Sequence, residues 1–393
     1  MIIGIDAHNL EGNRTGVGRY LFNLLKVWTA ADFRPSVTIT SPRPSPGEGE
    51  GEKIKFILYF KDEIPADIPQ SILFESKLLK VASTAKFVHW DLARAAKKDK
   101  VDVLFCPGYV APVCYKGKIA LALHDIIYEA RPDWFNWKRS ADKILLKWVS
   151  KKAAQKAAVI FTCSNFSKQE IIRCYGVPPQ KIAVIYLAAD FPLDIAGEEK
   201  ISEVRRRYGI NDRFIFYAGS IFSRRHLPEV IEAFSRLTAE KSDWQLLLSG
   251  KNYTRPFVDI DALIKSKNEQ LGRPAIVRVD FVADLELRLL YSACAFFIWL
   301  SDYEGFGLPP LEAMSAGAPV ITSDSTSLKE VAGNVALLIK NNPDVDEIYR
   351  AMKKLANDEN LRTELSRKGR KQAKKFSWER CAEITIDKIL SNN

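Results

Sequence analysis

Short apolar segments alternate with segments of helical periodicity along most of the chain, and this alternation constrains the fold more than any other feature. Residues 2–5 form an apolar strand that is followed by a loop and the helical segment YLFNLLKVW. Residues 214–218 begin the same pattern again. Strands that alternate with helices pack as a parallel, doubly wound sheet. The other predicted strands are residues 37–40, 55–59, 101–105, 120–123 and 159–162 in the first half, and 245–248, 275–279, 295–300, 319–321 and 336–339 in the second.

The alternation lapses at residues 188–197, AADFPLDIAG, and this lapse divides the chain into two regions. A chain of 393 residues is long enough for two or three domains. We therefore predict an α/β protein with two Rossmann-like domains, residues 1–190 and 191–376, that face each other across a cleft. Ligands of such sheets bind outside the carboxyl ends of the strands, so the loops after the strands are the candidate binding segments.

Composition argues against several classes of protein. Hydrophobic residues make up 47% and charged residues 27%, as in ordinary globular domains. No apolar run reaches the roughly 20 residues that span a bilayer, the N-terminus lacks the basic region of a secretory signal, and the six cysteines include no CxxC pair. These features predict a reduced, cytoplasmic protein. The net charge of +10 lies almost entirely in residues 1–190, but no common nucleic-acid-binding motif accompanies it, so no nucleic-acid partner is expected.

The segment EGFGLPPLE, residues 304–312, predicts an anion-binding turn. It follows a predicted apolar strand, and its two prolines suit the first turn of a helix, where an amide hydrogen would have no partner. We therefore place Glu304 in the loop and Glu312 in the first turn of the helix. A helix N-terminus attracts an anion, and the two carboxylates can accept hydrogen bonds from hydroxyls, so a nucleotide-sugar fits. Stabilisation of the helix dipole is the alternative role of Glu312.

Longer segments extend this pattern to a protein family. SDYEGFGLPPLEAMSAGAPVITSD resembles the donor-site signature of the retaining nucleotide-sugar glycosyltransferases of the two-domain GT-B kind, glycosyltransferase family 4. Other segments resemble the rest of the family in the same order: GIDAHNLEGNRTGVGRYLFNLL, ALHDIIYEARPDWF, TCSNFSKQEIIRCYGVPPQKIAVI and YAGSIFSRRHLPEVIEAF. The resemblance covers nearly the whole chain. It implies the GT-B fold, in which the last helix, residues 377–393, returns to pack on the first domain.

The resemblance implies catalytic roles for four residues. Arg224 and Arg225 would offset the negative charge that grows on the leaving diphosphate. The family usually has Arg followed by Lys here, and His226 follows where Asn is common. Glu304 would bind hydroxyls of the donor sugar, and His124 would bind a sugar hydroxyl and polarise the reaction centre. An exposed basic turn and a structural histidine are the alternatives that these residues leave open.

The same segments imply a set of donor-binding residues. The glycines of the first loop would let a ligand approach the backbone closely. Glu312 would hold the ribose hydroxyls, and the backbone near Val282 would contact the base. Ala283 replaces the usual glycine there, which leaves the identity of the base open. The predicted donor-binding residues are Gly16, Val17, Gly18, Ser220, Val282, Gly305, Phe306, Gly307, Leu308 and Glu312.

For the reaction, the resemblance implies transfer of a hexosyl group with retention of configuration, in the synthesis of a polysaccharide, a lipopolysaccharide or another glycoconjugate. GDP-mannose is the first candidate donor, and UDP- and dTDP-sugars are alternatives. The acceptor would be a glycan or a lipid-linked sugar. No metal and no cofactor are expected, because no DxD-type cluster is placed to hold a cation and the arginines with helix amides would balance the diphosphate.

Residues 134–156 predict a basic helix that needs an explanation of its own. Its lysines recur every four residues and form one stripe with apolar residues nearby. Such a helix can lie on an anionic membrane, whereas a solvated helix face is the alternative. We hypothesise peripheral contact with the inner face of a membrane or with a lipid-diphosphate acceptor. The stripe contains Lys143, Lys147 and Lys151, with Leu145 and Trp148 nearby and Ile144 expected to face the core.

Two other classes of function stay open. A dinucleotide-dependent oxidoreductase is disfavoured, because the first loop lacks a GxGxxG pattern with an acidic residue about 20 positions later. A non-catalytic partner subunit with the same fold would bind a nucleotide-sugar without transferring it. The presence of His124, Arg224, Glu304 and Glu312 favours an enzyme over such a subunit.

Overall fold

The computed structural model describes residues 1–12, 14, 16–30, 54–135, 140–189 and 197–392. The chain forms two compact units, Met1–Leu187 with Ser377–Asn393, and Ala188–Phe376. Each unit is built around one parallel sheet. Most of the predicted linker, residues 188–197, lies outside the described residues.

The sheet of the first unit has seven strands, all paired in parallel. Its central strands are apolar and buried, as in sheets that helices cover on both faces. The strands are β1 (Ile2–Asp6), β2 (Lys55–Phe60), β3 (Phe74–Leu78), β4 (Val103–Cys106), β5 (Lys118–Ala122), β6 (Val159–Thr162) and β7 (Ile182–Val184). They lie in the order β3-β2-β1-β4-β5-β6-β7.

Helices connect these strands. The longer ones bury one face at helical spacing; the first, for example, buries Tyr20, Leu24 and Trp28. The described helices are α1 (Gly16–Trp28), α2 (Thr84–Lys86), α3 (Leu92–Lys98), α4 (Ile127–Ala130), α5 (Ser140–Lys156) and α6 (Asn165–Tyr175).

The sheet of the second unit repeats this design with six parallel strands. The strands are β8 (Phe214–Ala218), β9 (Gln245–Ser249), β10 (Ile276–Val279), β11 (Phe296–Trp299), β12 (Val320–Ser323) and β13 (Leu337–Ile339), in the order β10-β9-β8-β11-β12-β13. The helices are α7 (Glu198–Tyr208), α8 (Leu227–Glu240), α9 (Ile260–Leu271), α10 (Asp284–Ala293), α11 (Leu308–Ala316), α12 (Thr326–Ala332), α13 (Val345–Asn357) and α14 (Glu359–Ala373).

The last helix, α15 (Trp378–Ser391), belongs to the first unit. The Ser377 hydroxyl accepts a hydrogen bond from the amide of Arg380 at 3.1 Å and so caps the helix start. Within the first unit, Trp28 Nε1 donates to the carbonyl of Ala382 at 3.2 Å. The expectation that the chain returns to its first domain is confirmed.

The predicted fold class is confirmed, and the predicted strands agree with the observed ones to within about two residues at each end, as is usual for strand boundaries. Two strands, β3 and β7, were not predicted, and the predicted strand at 37–40 lies outside the described residues. Among the helices of the described ranges, none has both the length and the apolar composition needed to cross a membrane.

Candidate functional site

Two neighbouring loops form the candidate site of the second unit. They follow β8 and β11, which pair directly in the sheet, so the loops lie side by side at its carboxyl edge. The first loop turns at Gly219, where φ is 138° and an added Cβ would lie 2.5 Å from the ring of Trp299. Only glycine fits this turn. The turn leads into the short 3-10 helix Ser223–Arg225, which carries the two predicted arginines.

Arg225 is buried between these loops and held on three sides. Its Nε donates to Oε1 of Glu304 at 2.9 Å, and its Nη1 donates to the carbonyl of Ser220 at 2.5 Å. The guanidinium also lies 4.1 Å from the centre of the Trp299 ring. A planar guanidinium can make all three contacts at once, whereas a lysine ammonium cannot. Arginine at position 225, where the family usually has lysine, therefore changes the contacts between the two loops.

Arg224 approaches the same carboxylate. Its Nη2 lies 3.9 Å from Oε1 of Glu304, and its Nε donates to the carbonyl of Tyr303 at 3.2 Å. Its guanidinium lies 4.3 Å from the centre of the Phe222 ring. Two cations thus share one carboxylate oxygen, and these three side chains together carry one net positive charge.

Glu304 is oriented by this arrangement. Both arginines contact Oε1, and within the described part of the chain Oε2 accepts no hydrogen bond. The hydroxyl of Ser327 donates to the Glu304 carbonyl at 2.7 Å and holds the loop in place. The sequence assigned Glu304 to the sugar and the arginines to the diphosphate as separate groups. The structure instead joins them in one ion-paired cluster.

A histidine–aspartate contact ties the two loops together, and sequence reasoning missed its acidic partner. His226 Nε2 lies 2.8 Å from Oδ1 of Asp302, and the Asp302 amide donates to the carbonyl of Arg224 at 3.0 Å. His226 has a φ of 51°, a left-handed conformation in which Asn is more usual. The replacement of the family's Asn by His was the one signal that could have pointed to this contact.

The helix after the second loop begins as predicted, but one glutamate is placed differently. Gly307, with a φ of 108°, caps α11, and the two prolines occupy its first turn. Because α11 begins at Leu308, Glu312 is the fifth helical residue, so the prediction that it lies in the first turn is wrong. Its side chain is buried and accepts a hydrogen bond from the hydroxyl of Tyr291 at 3.4 Å. This position weakens the helix-dipole explanation for Glu312.

The segment predicted to contact the base follows β10. Val282 is buried, whereas Phe281 beside it is largely exposed. Ala283, which stands where the family has glycine, directly precedes α10. The backbone contact with the base stays a prediction.

In the first unit, His124 lies two residues beyond β5 and is buried. The ring of Tyr20 packs edge-on at 4.6 Å between centroids. Within the described ranges neither ring nitrogen of His124 makes a hydrogen bond of normal geometry, although the nearby backbone of Pro107 acts to raise its pKa against the larger effect of burial. Burial lowers the pKa of His124 to about 4, so the ring is neutral near pH 7. An unsatisfied buried imidazole is costly, and a ligand hydroxyl or a water would satisfy it.

The glycines of the first loop occupy the start of α1 rather than a loop before it. The sequence placed the helix from residue 20, but α1 begins at Gly16. A Cβ on Gly18 would lie 2.3 Å from the carbonyl oxygen of Asn9, so Gly18 permits close contact within the protein itself. At Gly16 an added Cβ would meet nothing within 4 Å, so only Gly16 leaves open space for a ligand.

Helix α5 presents an apolar end to solvent. Ile144, Leu145 and Trp148 are 67%, 60% and 52% exposed, and the prediction that Ile144 faces the core is wrong. Lys147 pairs with Glu129 at 3.3 Å, whereas Lys151 is exposed. The side chain of Lys143, and all of residues 136–139, lie outside the described part of the chain.

Groups of metal-ligating side chains are absent from the described part of the chain. No three His, Cys, Asp or Glu residues there are close enough to hold an ion. The six cysteines, all of which lie in the described ranges, form no disulfide, and four of them are buried.

Two protein-family models match the chain, and the boundary between their matches falls between the two sheets. Residues 14–191 match the model described as Glycosyltransferase Family 4, and residues 200–372 match the model described as Glycosyl transferases group 1. Together the two matches leave only residues 1–13, 192–199 and 373–393 outside. The two matches support a GT-B glycosyltransferase of family 4 type.

The curated relatives of this chain include bacterial mannosyltransferases. The O-antigen chain mannosyltransferase B of Escherichia coli is 34% identical over 59% of this chain and 60% of its own length. The serotype-specific mannosyltransferase WbdA of Escherichia coli is also 34% identical, over 59% of this chain and 29% of its own length. The matched region therefore spans less than two thirds of these relatives.

Solved structures share the GT-B fold of this chain along its whole length. WaaG, a glycosyltransferase involved in lipopolysaccharide biosynthesis, superimposes with a TM-score of 0.70 at 13% identity and complete coverage of both chains. Anabaena HepE, solved with UDP and glucose, gives a TM-score of 0.68 at 16% identity over 99% of this chain and 98% of its own. At this identity the likeness shows the fold alone.

Proposed function

We propose that this chain transfers a hexosyl group from a nucleotide-diphosphate sugar to a glycan or lipid-linked acceptor. The observation that carries the proposal is the cluster in which Arg224 and Arg225 share one oxygen of Glu304. The cluster lies at the carboxyl edge of the second sheet, where ligands of such sheets bind. It offers fixed positive charge beside an oriented acceptor oxygen, which matches a sugar joined to a diphosphate.

The reaction breaks the bond between the anomeric carbon and a phosphate oxygen, and negative charge grows on that oxygen. The two guanidinium groups and the backbone amides of Gly307 and Leu308, at the start of α11, would stabilise this charge without a metal ion. Oε2 of Glu304 would accept a hydrogen bond from a sugar hydroxyl, and Glu312 would accept from the ribose. In the first unit, we propose His124 and Gly16, at the start of α1, as contacts of the donor sugar and its diphosphate.

We infer retention of configuration. In this mechanism the acceptor hydroxyl attacks the anomeric carbon from the face that the phosphate leaves. The new carbon–oxygen bond forms as the old one breaks, and the hydroxyl proton passes to the leaving phosphate oxygen. The resemblance of the motifs in this chain to those of the retaining family 4 glycosyltransferases supports the proposal.

The relatives suggest which sugar is transferred. Both Escherichia coli relatives are mannosyltransferases, and one of them is an O-antigen chain mannosyltransferase, so we propose GDP-mannose as the first donor to test and a polysaccharide of O-antigen type as the product. HepE has been solved with UDP and with UDP-glucose, so UDP-sugars and dTDP-sugars are the next donors to test.

A donor screen tests this function. The purified chain is incubated with GDP-mannose, UDP-glucose and dTDP-glucose, with mannotriose as acceptor, and the products are identified by mass spectrometry. We expect one donor to yield a tetrasaccharide whose new linkage, determined by NMR, keeps the donor's anomeric configuration. An inverted linkage would refute retention. Nucleotide binding without turnover of any donor would point to a non-catalytic subunit, and binding of NAD alone would point to an oxidoreductase.

We further propose that α5 lies on an anionic membrane surface, where a lipid-linked acceptor would be held. Its exposed face continues from Ile144, Leu145 and Trp148 to Lys151 and Lys152, all without burial by the described chain. Apolar residues next to lysines fit the boundary between acyl chains and anionic headgroups. The excess of basic residues in the first half of the chain supports the same orientation.

A further inference from the structure

The carboxyl end of β1 carries a histidine–carboxylate pair that the proposed reaction does not yet use. Asp6 is the last residue of β1 and is buried, and His8 begins the 3-10 helix His8–Leu10 that follows. His8 Nδ1 lies 2.5 Å from Oδ1 of Asp6, and the His8 amide donates to the same oxygen at 3.3 Å. These two contacts fix the imidazole at the strand end.

The other nitrogen of the ring is open. Nε2 of His8 makes no hydrogen bond within the described part of the chain, and it is not among the buried unpaired atoms. The side chain is 19% exposed, and its ring packs against Phe87 with 5.5 Å between centroids. One edge of the imidazole is therefore anchored, one face is covered, and Nε2 reaches solvent.

The pair lies on the edge of the sheet where a ligand is expected. The neighbouring residue Asn9 lies beside the turn after β4, since an added Cβ on Gly108 would be 3.5 Å from Asn9 Nδ2 and 3.9 Å from Val17. The His8–Asn9 segment thus borders the start of α1 and the loop after β4. Both elements belong to the carboxyl edge of the first sheet.

The charges around His8 come from three residues. Burial acts to lower the pKa of His8, but the charge and hydrogen bond of Asp6, together with the charge of Glu11, raise it above its usual value, and Lys61 opposes them. The Glu11 carboxylate is itself engaged with the amides of residues 61 and 62. The ring can therefore be neutral or protonated near pH 7, and Nε2 can accept or donate accordingly.

We propose that His8 binds a hydroxyl of the sugar acceptor through Nε2, with Asp6 holding the ring in position. A hydroxyl both donates and accepts hydrogen bonds, so it suits Nε2 in either state of the ring. The inference rests on the proposed function, in which the arginine cluster of the second unit takes the donor. It adds a named contact for the second substrate.

Two substitutions distinguish binding of the acceptor by Nε2 of His8 from a purely structural hydrogen bond between His8 and the buried carboxylate of Asp6. His8→Asn places an amide nitrogen near the position of Nδ1, so it can still donate to Asp6, but it removes Nε2. His8→Gln places an amide group near the position of Nε2. His89→Asn, a change of another histidine in the first unit, is the matched control. Each variant is assayed with mannotriose as acceptor and the donor that the wild type uses.

We expect His8→Asn to raise the KM for mannotriose about tenfold, the effect of losing one hydrogen bond, with the KM for the donor changed less than about twofold. His8→Gln should restore most of the affinity, and His89→Asn should match the wild type. An unchanged acceptor KM in a folded His8→Asn chain, or an equal rise in both KM values, would overturn the inference. If the wild type turns over no nucleotide-sugar, the proposed function itself fails.

Discussion

At the scale of single residues, Arg225 is the side chain on which the proposed reaction depends most. It joins Glu304, Ser220 and Trp299, so its removal takes away a cation and leaves the Glu304 carboxylate, among the described residues, with only the 3.9 Å contact to Arg224. We predict that Arg225→Ala lowers kcat by about 10²–10³-fold, the range for loss of one preorganised group that stabilises transition-state charge.

The control for this measurement is Arg213→Ala, which removes an exposed arginine that pairs with Asp243 at the surface of the same unit. It should keep kcat near the wild-type value, because exposed ion pairs contribute little. Circular dichroism of both variants checks the fold. A folded Arg225→Ala chain with near-normal turnover would contradict the assignment.

His226 provides a second test, because it positions Arg224 without touching the proposed substrate. Loss of its contact with Asp302 should loosen the loop that carries both arginines. We predict that His226→Ala lowers kcat about tenfold with little change in donor KM, since a small displacement weakens transition-state contacts most. His226→Gln should recover part of the loss, because its amide nitrogen lies near the position of Nε2 and can donate to Asp302. Equal kcat in the Ala and Gln variants would show that the contact does not position the loop.

The lowered pKa of His124 leads to the prediction that the free energy of unfolding depends on pH. Its pKa is lowered from 6.5 to about 4 in the folded chain, so between these values the unfolded chain binds a proton that the folded chain does not. Its stabilising contribution is complete above pH 6.5 and is lost as the pH falls to about 4, by about 3 kcal/mol in all. Urea unfolding of wild type and His124→Gln across this range measures the difference. Parallel pH curves for the two chains would show that His124 is not buried and neutral.

The sequence predicted Arg224, Arg225 and Glu304 as candidate site residues but did not predict how they pair. Arg225 and Glu304 are 79 positions apart, and only the pairing of β8 with β11 brings their loops together. Nothing in the sequence indicated that Asp302 belongs to the site, because an aspartate in a loop is common and its partner His226 lies in the other loop. Single residue types can be predicted from motifs, whereas contacts between loops depend on the sheet.

At the scale of elements, the exposed apolar residues of α5 lead to a prediction about membrane binding. Ile144, Leu145 and Trp148 are exposed, so replacing all three with serine should cost little stability. We predict that the triple variant loses most of its flotation with vesicles containing phosphatidylglycerol, because the apolar contact is removed while the lysines stay.

The matched control is Phe257→Ser, which removes an exposed aromatic residue from the second unit. It should float like the wild type. Binding should also weaken as salt rises, because the lysines act through screened charge. Flotation of the triple variant at the wild-type level, or no flotation of the wild type at low salt, would rule out α5 as the contact.

Most elements could be predicted from sequence because central strands of a parallel sheet are apolar on both faces. The two missed strands, β3 and β7, both lie at edges of the first sheet. β3 has the sequence FESKL, which alternates apolar and polar residues weakly, and β7 has only three residues. The start of α1 was misplaced for a different reason. Glycine has a poor helix propensity, so Gly16 and Gly18 indicated a loop.

At the scale of the whole molecule, the first unit is assembled from both ends of the chain. The last strand of its seven-stranded sheet ends at Val184. Helix α15, which packs on α1, follows only after the whole second unit in the sequence. Residues 28 and 382 are joined by a hydrogen bond across 354 positions of sequence. No local pattern predicts such a return, and here it was expected only from the resemblance to the family.

This arrangement makes a prediction about the stability of the first unit. Ile386 is fully buried on the inner face of α15, so Ile386→Ala should lower the free energy of unfolding of the first unit by about 2–5 kcal/mol through lost contact and the cavity left behind. The second unit contains no part of α15 and should be unaffected. Lys388→Ala, on the same helix but outside its buried face, should change little. Hydrogen exchange followed by mass spectrometry resolves the two units. We expect hydrogen exchange to become faster in β1 and α1 and to stay unchanged in β8 and β11, because only the first unit loses packing against α15. An equal loss of protection in both sheets would contradict this prediction, since it would show that the returning helix stabilises the chain as a whole.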